Sequence, residues 1–226
     1  MSAWAKFPSS WVRPKGEQAG PLKTLLWSDH RTTGLAALVI LIALSIRLNQ
    51  SHKGLDRSLE TESLEVAVTY DDLQSLTGYA RATIAKALML LEGMAAICIR
   101  REGRSNFYAL PAIGINGGWC QLPQAHLMDS SSSQIKRLEK LPAKKVSLNA
   151  MKLYVVLLTW RAQRLNTTAM SYSTITKYTG IRREEIRQAC SMLVALELAH
   201  TTKEEDARSQ DDPSNRYVIR GLHKAA

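Results

Sequence analysis

The chain has 226 residues, 45% apolar and 22% charged, which excludes a wholly disordered protein and suits one large or two small domains. Lys and Arg number 30 against 20 Asp and Glu, a formal charge of +10, so the expected partner is anionic. Cys98, Cys120 and Cys190 stand far apart with no C-x-x-C pair, which excludes a disulfide framework and a self-contained zinc site and fits thiols in a reducing cytoplasm.

Residues 1–30 carry Trp4, Trp11, Trp27 and Phe7, interrupted by Pro8, Pro14 and Pro21. Proline at that density argues against a long helix. The expectation is an extended arm whose aromatics pack back onto the first folded unit. Its second expected use is to dock on a protein partner or on another copy of the chain. Residues 34–46 (GLAALVILIALSI) form a 13-residue apolar run between Arg31 and Arg47. A spanning helix needs about 20 residues, so a buried core helix is expected and a membrane is not counted among the partners. Polar residues 51–65 read as a loop.

Residues 69–100 then return, shifted by 102 positions, at 171–202. Tyr70/Tyr172, Thr77/Thr179, Gly78/Gly180, Arg81/Arg183, Ile84/Ile186, Ala87/Ala189 and Leu91/Leu193 coincide. Each copy predicts a short helix (71–76 and 173–178), a glycine turn, and a longer helix with one apolar stripe: Ile84, Ala87, Leu88, Leu91 in the first, Ile186, Ala189, Cys190, Leu193 in the second. Glycine tolerates the positive φ of a sharp turn. Two helices around such a corner are the helix-turn-helix signature. An apolar helix precedes each copy (35–47 and 150–161), and two β-like runs follow it (95–101 with 106–110; 198–203 with 215–220). A helix, a helix-turn-helix and a β-hairpin make a winged helix, here twice.

The predicted fold is therefore mainly α with small β-hairpins, an α+β class with two tandem winged-helix domains. Its parts are an N-terminal arm (1–30), winged helix 1 (31–110), a basic linker (111–147) and winged helix 2 (148–222). Extended at ~3.3 Å per residue, the linker spans on the order of 120 Å. Major-groove half-sites one turn apart need about 34 Å, so linker length sets no limit on how the units sit.

The run Thr69-Tyr70-x-x-Leu73-x-x-Leu76-Thr77-Gly78-x-x-x-x-Thr83-Ile84-x-x-Ala87-Leu88-x-x-Leu91-Glu92 is similar to bacterial winged-helix DNA-binding regulators and phage replisome-organiser domains. The tandem arrangement at this length also resembles plasmid replication initiators. One departure stands out: where such proteins usually place a Ser or Thr N-cap, this chain has Ala80 and, in the second copy, Arg182. Loss of that cap costs about 1 kcal/mol.

A helix entering the major groove presents polar or cationic side chains near its start. In the first copy these are Tyr79, Arg81, Thr83 and Lys86, beside Ala82. Arg81 suits guanine O6/N7, Thr83 a base edge or thymine methyl, and Lys86 a phosphate. No acidic residue lies between Leu73 and Leu91, so this helix face reads as purely cationic. Arg100, Arg101 and Arg104 make the first wing basic. In the second copy Arg182, Arg183 and Arg187 are the candidates, with Glu184 and Glu185 on the same turn. Its wing, residues 203–216, holds three cations and five acids and should avoid phosphates. The first unit is thus the expected stronger reader.

No nucleotide-binding, metalloprotease or hydrolase motif occurs, and the five histidines are scattered without ligand spacing, so no catalytic role, metal or cofactor is predicted. The expected function is non-catalytic double-stranded DNA binding, as a cytoplasmic, nucleoid-associated transcription regulator or replication initiator of a bacterial, plasmid or phage system. The alternative is a tandem winged-helix protein adaptor in a segregation complex or in helicase loading.

Overall fold

A computed structural model describes residues 3–12, 20–52, 65–102, 105–111, 113, 118–128, 134–139, 141–162, 166–206 and 214–222. The chain opens with β1 (Ala5–Pro8), a 3-10 turn (Pro21–Thr24), α1 (Trp27–Ser51), β2 (Glu65–Ala67), α2 (Tyr70–Thr77), α3 (Arg81–Gly93), β3 (Cys98–Glu102) and β4 (Ser105–Ala109). Short elements follow: β5 (Trp119–Leu122), α4 (Gln124–Leu127) and α5 (Lys136–Glu139). The last part is α6 (Lys145–Thr159), β6 (Thr167–Met170), α7 (Tyr172–Thr179), α8 (Arg183–Ala195), β7 (Ala199–Asp206) and β8 (Ser214–Ile219). Helix dominates, and the strands form small antiparallel sheets, as the α+β reading expects.

The sequence repeat is also a repeat of architecture. Each half runs helix, strand, helix, helix, strand, strand, and the two three-stranded sheets have corresponding orders, β2-β4-β3 and β6-β8-β7. Expected hairpins thus become three-stranded sheets, because β2 and β6 add on the open side of β4 and β8. Residue 65, placed in a loop by its polarity, begins β2; a strand of three residues is too short to display alternation.

Local chemistry explains why each helix pair bends where it does. Thr69 caps α2, its Oγ1 accepting from the Asp72 amide at 3.1 Å while the Asp72 carboxylate accepts from the Thr69 amide at 3.0 Å. Ser171 caps α7 by accepting from the Thr174 amide at 3.2 Å. At the corners, the hydroxyls of Thr77 and Thr179 each donate to the carbonyl four residues back, at 2.6 Å. The same hydroxyls accept from the amides of Tyr79 and Ile181. Gly78 and Gly180 then turn the chain at φ +73° and +69°, left-handed values that other residues enter at a cost. Ala80 and Arg182 start α3 and α8 without a side-chain cap, as the sequence implied. Both long helices end alike too: Ala95 and Glu197, 102 positions apart, adopt φ 52° and 55°.

The two halves share one hydrophobic core. Helix α1 is buried from Gly34 through Ile46 and packs against α6, which is buried from Ser147 through Leu158. By length and composition α1 could cross a membrane, yet 78% of its most apolar window is covered by protein. Its apolarity is therefore used in packing. The backbone of Arg31 leaves helical geometry at φ 42°, ψ −128°, kinking the first turn of α1 away from the apolar run.

The aromatic arm does pack back, in company with the segment expected to be a linker. Strand β1 pairs with β5, Phe7 and Trp11 are buried, and Trp4 stacks on Trp119 with ring centroids 5.7 Å apart. The Ile135 amide donates to the Leu76 carbonyl of the first half at 2.9 Å, while Arg137 pairs with Glu197 of the second. His126 bonds the Glu197 carbonyl at 2.8 Å. Residues 118–139, where described, form a strap across both halves. Arg137 and Lys145, which the sequence reads as linker charge, are spent on Glu197 and Glu185.

Candidate nucleic-acid interface

Helix α3 turns Ile84, Ala87, Leu88 and Leu91 into the core, which leaves Arg81, Ala82, Lys86 and Met89 facing solvent. Arg81 is 64% exposed and ion-paired with Asp71, ten residues earlier at the start of α2. The purely cationic face read from α3 alone is therefore corrected: its leading cation has an acidic neighbour supplied across the glycine corner. Lys86 is exposed and has no ion-pair partner among the described residues. Thr83 is half-buried. Tyr79 is half-buried against the core, and burial pushes its hydroxyl pKa up to about 12, so it serves packing before recognition. Met89, 71% exposed beside Lys86, is a large apolar surface residue the sequence reading passed over.

The β3–β4 hairpin is less free than its composition suggests. Arg100 donates from Nε and Nη2 to Glu65 at 3.0 and 2.7 Å, and from Nη1 to Glu102 at 2.7 Å. Its guanidinium also lies 4.3 Å from the Phe107 ring centroid. Hydrogen bonding to Glu65 and then Glu102 pushes the Arg100 pKa further up, and the same contact holds the Glu65 carboxyl below its usual range. Arg100 is thus tied across the sheet rather than offered to a partner. Arg101 is exposed, and Arg104 lies outside the described residues.

In the second half Arg182, just before α8, and Arg183 and Arg187 on α8 are all exposed. Arg183 approaches the Tyr172 ring at 5.7 Å. The two acids of this turn separate in role. Glu184 is exposed, whereas Glu185 turns inward to Lys145 and to Asn149 Nδ2 at 3.3 Å. Burial works against the Glu185 charge, but these donors outweigh it and hold the pKa low. The corner before α8 is partly covered: a Cβ at Gly180 would lie 3.3 Å from the Lys23 carbonyl of the 3-10 turn. The acidic side chains of residues 203–216 lie outside the described residues.

The structure thus leaves two exposed helix faces in corresponding places, the first opposed by Asp71 from α2 and the second carrying Glu184 on α8 itself. No family model matches this sequence, and no curated protein matches it.

Proposed function

We propose that this chain is a double-stranded DNA-binding protein built from two tandem winged helices, acting as a transcription regulator or a replication initiator. The observation that carries the reading is the repeated helix-strand-helix-helix-strand-strand order with an exposed, cation-bearing helix after each glycine corner. That is the part of a winged helix that enters a major groove. Arg81 and Lys86 lead in the first unit; Arg182, Arg183 and Arg187 serve in the second, with Arg101 and Arg104 toward the backbone and Thr83 at a base edge. Tyr79 and Arg100 act as supports, given their burial and ion pairs. A nucleoid location follows from this reading.

Titration of a fluorescent duplex by anisotropy at stepped salt tests it. Neutralising about six phosphates gives log K against log salt a slope near −5. A slope near zero contradicts a DNA role and favours the protein adaptor. That alternative rested partly on a displayed aromatic arm, and Phe7 and Trp11 are instead buried.

A further inference from the structure

A cavity of about 320 Å³ opens where the segment before α1 meets the second half of the chain. Its lining combines apolar Leu25, Leu26 and Trp27 with the cations Lys145, Lys152 and Arg182. Among the described residues the only carboxylate lining it is Glu185, already engaged by Lys145 and Asn149. Lys145 and Arg182, at the starts of α6 and α8, and Lys152, two turns into α6, therefore share with one acid a space the size of a small-ligand pocket.

Lys152 sets this cavity apart from ordinary surface charge. Its side chain is 2% exposed, and its Nζ donates to the carbonyls of Leu25 at 2.9 Å and Lys23 at 3.4 Å. No carboxylate is paired with it among the described residues. A buried ammonium held only by carbonyl dipoles is poorly compensated, and an anion nearby would relieve that. Arg182 sits at the rim, exposed and with no ion pair among the described residues.

We propose that this cavity binds a phosphate group, held by Arg182 and Lys145 with Lys152 beneath, while Leu25, Leu26 and Trp27 take the apolar part of the molecule that bears it. The phosphate has two possible sources, a free phosphomonoester or the DNA backbone. Because the cavity joins the segment before α1 to the start of α8, its occupant would bear on how α8 is presented. The site goes beyond the DNA reading, with which it shares Arg182, and does not depend on Arg81 or Lys86.

Calorimetric titration of the full chain with inorganic phosphate and with adenosine 5′-monophosphate at constant ionic strength tests the site, beside a duplex titration. Saturable phosphomonoester binding that Arg182→Gln and Lys145→Gln each weaken roughly tenfold is the expected result, since each removes one charge-assisted contact. Lys177→Gln removes a cation that does not line the cavity and should leave that binding unchanged. If the source is DNA, the monophosphate competes with the duplex and Lys145→Gln, which lies outside the DNA-reading set, makes the salt slope shallower by about 0.9. If the source is a free ligand, binding of the monophosphate persists on the DNA-bound chain. Absence of saturable binding together with an unaltered salt slope overturns the proposal, as does binding indifferent to both substitutions. Neither result would touch a DNA affinity carried by Arg81.

Discussion

Arg81 shows how one ion pair bears on recognition. Asp71 is its partner in the free protein, and both side chains are largely exposed. Such a pair is worth little in water, so a guanine edge can displace the carboxylate, but Asp71 then stands close to DNA as an uncompensated charge. Under the proposed function, Arg81→Ala lowers duplex affinity by about 1–3 kcal/mol, while Arg183→Ala costs less. Asp71→Asn raises affinity. The same anisotropy titration compares all three, and a larger loss for Arg183 refutes the ranking of the two units. Lys152 makes a separate prediction, from pH. Burial lowers its pKa from 10.5 to about 8. Below pH 8 folded and unfolded chains both carry the proton, and the full cost of the buried charge is present. Between 8 and 10.5 the unfolded chain holds more protons, so this group makes stability rise with pH. Cys120 and Cys190 act the other way above their ordinary value of 9, because burial raises them to about 12 and 11. The Lys152 contribution is therefore isolated by difference. From pH 7 to 10.5 the unfolding free energy of the native chain should gain on that of Lys152→Met by on the order of 3 kcal/mol. Urea unfolding at several pH values measures it, and a flat difference refutes it.

Among the elements, the two glycine corners are near copies in different surroundings, which makes them a natural pair to compare. Gly78 has open space where a Cβ would go, so Gly78→Ala meets only the left-handed backbone cost of about 1–2 kcal/mol. Gly180→Ala meets that cost and also the Lys23 carbonyl at 3.3 Å. The second substitution should lower the urea midpoint further than the first; equal effects would mean the 3-10 turn yields freely. The same corners show what could be read in advance. Thr77/Thr179 and Gly78/Gly180 were visible as coincidences because their roles are local: a hydroxyl bridging one helix turn and a positive φ. The stripes of α3 and α8 were visible because a 3.6-residue period records which side is buried. By contrast β2 and β5 are three and four residues long and owe their state to distant partners, Tyr108 for Val66 and Phe7 for Cys120. Asp71 opposite Arg81 and Glu65 opposite Arg100 were missed for the same reason. Each carboxylate lies outside the segment on which charge was counted, and only the fold brings it across.

For the whole molecule, the decisive contact is α1 against α6, the helix that opens each half. A 37-residue connection taken from sequence alone lets two DNA-reading units sit at any separation. The shared core removes that freedom: Gly34 lies under Leu148, Lys152 grips the Lys23 and Leu25 carbonyls, and Ile135 and Arg137 tie the strap to Leu76 and Glu197. Separating the halves would expose α1 and α6, helices buried along nearly their whole apolar length, at roughly 1.5–3 kcal/mol for each large side chain uncovered. No gain from a few phosphate contacts offsets that. If both units read DNA, they do so as one body, and the duplex must supply half-sites at a single spacing. The two hypotheses part company when base pairs are inserted between half-sites. Five base pairs put the second half-site on the opposite side of the duplex, which defeats a rigid body but lies within reach of a linker spanning on the order of 120 Å. Ten base pairs restore the face but move the half-site about 34 Å along the axis, within reach of a free linker and beyond a fixed core. The expected outcome is that both insertions reduce anisotropy-measured affinity to that of a single half-site. Affinity retained with either insertion would show that the halves part on DNA, and the α1–α6 core would then have to open at a cost the unfolding data should reveal.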